Sequence, residues 1–136
     1  MEIKISFPGG KQVLAEYDGM KVLTDQPVKA GGSGMAPQPF MLFLSSIGTC
    51  AGYYVLSFCQ SRNIPTEGIR LIQSQEFVSL GKGKHRLAKI KIDIIVPPDF
   101  PEKYYDALIR AVDQCAVKKA IYDPPEFEVR TIAKAE

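Results

Sequence analysis

Histidine occurs once in this 136-residue chain, at His85, and cysteine three times, at Cys50, Cys59 and Cys115. There is no C-x-x-C pair and no His-Cys cluster. A zinc site needs four such ligands, or three and a water, so no metal and no cofactor is expected. A Ser-His-Asp or Cys-His hydrolase would have to use His85 as its base, and His85 falls in a charged hairpin tip. The carboxylates Glu67, Glu76, Asp93, Asp99, Glu102 and Asp113 are scattered over outward-facing positions, and none forms an acid/base pair. Excess charge is also lacking. The formal net charge is +2, and the basic cluster is confined to Lys82, Lys84, His85 and Arg86. That excludes nucleic acid and an anionic membrane as expected partners. Three cysteines do not make a secreted disulfide framework. Met1 runs directly into the strand-like EIKISF with no signal peptide before it, so a reducing cytoplasm is the expected setting. No charged residue occurs between Lys29 and Arg62, and no arginine precedes Arg62.

That uncharged zone is the centre of the chain. Residues 37–63 read PQPFMLFLSSIGTCAGYYVLSFCQSRN. Phe40, Phe43, Leu44, Ile47, Ala51, Tyr54, Val55 and Phe58 recur at helical spacing. Met41, Leu42 and Leu56 extend the apolar surface, which predicts a helix buried nearly all round. Ser45, Ser46, Gly48, Thr49, Gly52 and Ser57 dilute the run below what a membrane span requires. The helix is expected to cover the strands that flank it.

Those strands follow from period-two alternation and turn residues. Residues 1–25 predict an antiparallel meander, with turns at Pro8-Gly9-Gly10 and Asp18-Gly19. Residues 26–36 form a glycine-rich connector without the phosphate-binding G-x-x-x-x-G-K-[ST] pattern. Residues 68–96 predict a hairpin with Ala88, Ile90, Ile92, Ile94 and Val96 facing inward. Helices are expected over 101–122, with Cys115 on an inner face, and a last strand over 126–133. The whole is a single α+β domain, residues 1–136, with antiparallel sheets around a long central helix.

Only the thiols remain as candidates for chemistry. Cys59 lies nine residues after Cys50, and at ~100° per residue it projects from the opposite side of the helix. It reads as core or subunit-contact filler. Cys115 reaches Cys50 only if its helix packs on the Cys50 side. Buried free cysteine commonly acts as a small hydrophobe, so spacing alone leaves both readings open.

The segment P-Q-P-F-M-L-F-L-S-S-I-G-T-C-A, ending beside Cys50, resembles the signature of the OsmC/Ohr family. The segment A-V-D-Q-C-A-V-K-K-A-I around Cys115 resembles the family's second cysteine motif, and the two cysteines stand 65 residues apart, as in the family. The resemblance implies an intertwined homodimer with active sites at the subunit interface. It also implies a two-cysteine peroxidase. Cys50 would attack an organic hydroperoxide, Cys115 would close a disulfide with it, and an external dithiol would reopen the bond. Phe40, Met41 and Tyr54 would line the substrate pocket.

The chain departs from the family's peroxidase members at the groups that activate the thiol. Where those members carry a glutamate in the first turns of the helix, this chain has Met41 beside Phe40. Their arginine is replaced by Lys11, and the proline after the second cysteine by Ala116. Lysine does not reproduce the planar fork of arginine, so Lys11 is an expected activating cation of a different kind. These departures also leave a second reading: a non-catalytic dimer of this fold that binds a small apolar ligand or a partner.

Overall fold

The computed structural model describes residues 1–134. It comprises two compact units, Met1–Ser46 and Ile47 onward. The N-terminal unit opens with β1 (Lys4–Gly9), β2 (Gln12–Tyr17) and β3 (Met20–Thr24), an antiparallel sheet in the order β1-β2-β3. The β2–β3 turn has Asp18 at φ 47° and Gly19 at φ 78°. Two positive φ angles in succession match the twist of the strands they join, which is why the Asp-Gly pair marked this hairpin. The meander is therefore as expected from alternation.

The glycine-rich segment is held by one side chain that the sequence reading passed over. Asp25 is 1% exposed, and its carboxylate accepts from Gln26 N at 2.7 Å, Met35 N at 3.2 Å, and both the N–H and the hydroxyl of Ser33. A Cβ on Gly32 would stand 2.0 Å from the Gln26 carbonyl oxygen, so only glycine fits where the loop folds back. A further bond from Asp25 N to Pro37 O leads the chain into the long helix.

Helix α1 spans Pro39–Ser61. Its buried positions Leu44, Ile47, Ala51, Val55 and Phe58 form one stripe at three- and four-residue spacing. Phe40, Met41, Phe43, Tyr53 and Leu56 are exposed, so the helix is not buried all round. The apolar composition overstated the burial because only one stripe meets a core. Among the described residues this is the one helix long and apolar enough to cross a membrane. Its second half nevertheless forms the core of the C-terminal unit, where Ala51, Val55, Phe58 and Cys59 pack with Phe100, Leu108 and Val112.

In that unit β4 (Arg70–Gly81) and β5 (Lys84–Ile95) form a two-stranded antiparallel hairpin, followed by α2 (Tyr105–Val112) and α3 (Ala116–Tyr122). Inward alternation holds for Ile90, Ile92 and Ile94 but fails at Ala88, which is exposed while Leu87 is half-buried. The cause is a bulge: Glu76 pairs with Lys89, whereas Phe77 pairs with Leu87. One extra residue on β5 reverses the facing of everything beyond it. The strand expected at 126–133 is not formed. Residues 124–134 carry no helix or strand, and Phe127 and Val129 are 87% and 93% exposed. An alternating segment becomes a strand only where a neighbouring edge receives its backbone groups, and none of the described strands does so.

Candidate active site

The two cysteines singled out by sequence meet within the C-terminal unit. Cys50 projects from α1 at mid-length. Cys115 comes from the break between α2 and α3, not from a helix face. Helix α2 ends at Val112, and Cys115 N donates to the Val112 carbonyl at 3.1 Å. The backbone then turns extended at Cys115 (φ −52°, ψ 117°), which makes it the N-cap of α3. Its sulfur accepts from Lys118 N at 3.5 Å, the place a serine or aspartate oxygen ordinarily takes. Lys118 Nζ pairs with Asp113 across the break at 3.0 Å.

This arrangement aims the first free N–H groups of α3, those of Ala116 and Val117, at Cys50. Burial alone would push the Cys50 thiol up. The hydrogen bond from the Cys115 thiol, with those from Val117 N and Ala116 N, outweighs it and holds Cys50 below the ordinary cysteine range. Cys115 moves the opposite way. Burial raises it, and so does donating its proton to Cys50, while the N–H groups of Lys118 and Val117 oppose the rise. The negative charge of Cys50 adds to the increase. Exposure follows the same division: Cys50 is half-buried and reachable, Cys115 is 0% exposed. No disulfide joins them, and all three cysteines are free.

Cys59 is fully buried in the apolar core, and burial raises its thiol against the nearby Arg62 charge. Arg62 stacks 3.7 Å from the Phe58 ring. Tyr54, one turn beyond Cys50, is half-buried and meets Tyr53 edge-on, with ring centroids 5.3 Å apart at 79°. Phe40 and Met41 begin α1 in the N-terminal unit, about half exposed, with the Phe40 ring 5.6 Å from Phe43. Lys11 lies in the same unit, at the β1–β2 turn, with its Cε 3.6 Å from where a Gly31 Cβ would sit. Sequence reasoning sought a charged activator for Cys50 and missed the backbone donors of residues 116 and 117. A backbone N–H has no signature of its own, and no glycine or proline marks the break at Cys115. A separate open apolar groove of about 440 Å³ lies between β5 and α2, lined by Ile92, Ile94, Val96, Tyr105, Leu108 and Ile109. Neither cysteine lines it. Among the described residues no group of three or more His, Cys, Asp or Glu could hold a metal ion.

Comparison with known proteins gives one family and one fold. The family model described as OsmC-like protein matches residues 31–130, which include both cysteines. No curated protein matches the chain. Among solved structures, a Psychrobacter arcticus protein named for an osmotic stress induced and detoxification response aligns at 19% identity. That alignment covers 87% of this chain and 85% of the other, with a TM-score of 0.69. An organic hydroperoxide resistance protein of Legionella pneumophila aligns at 19% identity over 89% of each chain, TM-score 0.58. The organic hydroperoxide resistance protein of Bacillus subtilis aligns at 19% identity over 91% of this chain and 93% of the other, TM-score 0.54. At such identity these likenesses establish a shared fold. It is the α+β fold of antiparallel sheets and a long helix expected from the sequence.

Proposed function

Because the chain belongs to the OsmC-like protein family, we propose that it is a thiol-dependent peroxidase that reduces organic hydroperoxides through Cys50 and Cys115. The observation that carries this reading is the division of labour within the thiol pair. The reachable thiol is the one whose thiolate is stabilised, and the buried thiol is the one kept protonated. Thiolate, not thiol, is the nucleophile in peroxide reduction. The Legionella and Bacillus proteins of this fold are named for organic hydroperoxide resistance, which supports the substrate class.

In the proposed cycle the Cys50 thiolate attacks the terminal oxygen of R–O–O–H. An S–O bond forms, the O–O bond breaks, and RO⁻ leaves with the electron pair to become the alcohol. Cys50 is then a sulfenic acid. Two of the influences that kept Cys115 protonated, its hydrogen bond to a thiolate and that thiolate's charge, end at this step. Cys115 can then lose its proton and attack the Cys50 sulfur, forming the disulfide and releasing water. An external dithiol restores the pair. Cys50 is the peroxidatic and Cys115 the resolving residue. Tyr54 is proposed to line the substrate pocket, and the site to lie at the interface of a homodimer. The setting proposed is the cytoplasm, with no nucleic acid or membrane partner.

Cys50→Ser should abolish consumption of cumene hydroperoxide, and Cys59→Ser should leave it intact. Peptide mapping after peroxide treatment should find a Cys50–Cys115 disulfide. Equal activity in both variants would remove Cys50 from the chemistry, and no consumption by the unmodified protein would leave the non-catalytic, ligand-binding dimer as the better account.

A further inference from the structure

The Cys50 thiolate is held from one side by the Cys115 thiol and the N–H groups of residues 116 and 117. These donors stabilise the attacking sulfur. They do nothing for the other end of the O–O bond, where negative charge develops on the departing oxygen. An alkoxide leaves poorly without a proton or a strong donor. No arginine precedes Arg62 in the sequence to serve there. What stands beside Cys50 along α1 is Tyr54, four residues on. Side chains at i and i+4 are neighbours on a helix, with Cβ atoms ~5–6 Å apart. Aromatic side chains in helices lean back over the residue four positions earlier. The spacing places Tyr54 beside Cys50 on one face of α1. Its ring meets that of Tyr53 edge-on, with centroids 5.3 Å apart. It is half-buried, and among the described residues its hydroxyl makes no hydrogen bond. A phenolic O–H with no other partner, beside the attacking sulfur, is what a leaving-group donor requires.

We propose that Tyr54 is a catalytic residue whose hydroxyl donates its proton to the leaving oxygen of the hydroperoxide. The inference rests on the peroxidase reading above. As the S–O bond forms and the O–O bond breaks, the electron pair passes to RO and the Tyr54 proton moves to it, giving ROH. The phenolate then takes a proton from solvent. The role predicts a substrate preference. Tyr54 matters most for alkyl hydroperoxides, whose alkoxides are strong bases, and least for peracids, whose carboxylates leave unaided.

The test is Tyr54→Phe, which keeps the ring and its contact with Tyr53. Three second-order rates with Cys50 are compared: tert-butyl hydroperoxide, peracetic acid and iodoacetamide. Iodide leaves without a proton, so alkylation reports the thiolate alone. The expected result is a loss on the order of 100-fold with tert-butyl hydroperoxide, little change with peracetic acid, and unchanged alkylation across the pH range. An equal loss with all three reagents would make Tyr54 merely structural, and no loss with any would remove its role; either overturns the proposal. If unmodified Cys50 alkylates normally yet neither peroxide oxidises it, the peroxidase reading itself fails, a result distinct from both.

Discussion

The sulfur of Cys50 carries its functional character through neighbours that have no net charge. A thiol proton and two backbone N–H groups outweigh the cost of burial. Hydrogen bonds to an ionised group contribute more than neutral ones, roughly 1.5–3 kcal/mol each. Removing one should therefore be visible in kinetics. Cys115→Ala deletes the side-chain donor to Cys50, so the Cys50 titration should move upward. Near neutral pH, alkylation by iodoacetamide should slow by about tenfold. The rate measured against pH gives the sign directly: the midpoint must rise in the variant. A midpoint that stays or falls would mean that the α3 backbone alone holds the thiolate. The sequence motif singled out Cys50 and Cys115, and spacing set apart Cys59, which is buried in the apolar core. The backbone N–H groups that lower the Cys50 thiol were illegible because they belong to backbone geometry at a helix break.

Elements were legible where local pattern and turn chemistry agree. The meander, the long helix and the β4–β5 hairpin each combine a clear period with a turn suited to the strands it joins. They were illegible where one residue changes the register of those after it, as the β5 bulge does beside Ala88. The loop between β3 and α1 is a third case. Its glycines read as a connector, yet one carboxylate organises it. Asp25 is held at a pKa of about 2, first by the Ser33 hydroxyl and next by Gln26 N, with burial opposing both. Its folded pKa lies below the ordinary value of 3.8, so its contribution is fully present above about pH 3.8. That contribution is lost as pH falls through about 2. Hydrogen exchange should show it. The amides of Gln26 and Met35 should stay protected at pH 4 in the native protein. In Asp25→Ala they should exchange on the order of 10-fold faster at the same pH. Unchanged exchange would mean that the glycine backbone holds the loop without its carboxylate.

On the scale of the whole molecule, the exposed apolar residues need explaining. Ile3, Ile5 and Phe7 alternate along the N-terminal strand region and are 53%, 57% and 82% exposed. Phe127 and Val129 are more exposed still, in a segment whose backbone has no ladder to join. In an extended chain such i, i+2 pairs share one face. A contiguous apolar face open to water marks a surface for association. In the proposed homodimer, the segment expected as a strand at 126–133 is predicted to pair on the second copy. The period-two signal is present over 126–133, while none of the described strands pairs with it. Sedimentation should give a particle of twice the 15.0 kDa chain. Phe127→Asp places a charge on the face that would be covered. Loss of a buried aromatic anchor costs ~2 kcal/mol or more at an interface, so the dimer dissociation constant should rise on the order of 30-fold. A dimer of unaltered affinity in this variant would show that the segment lies outside the interface, and its exposure would then need another cause.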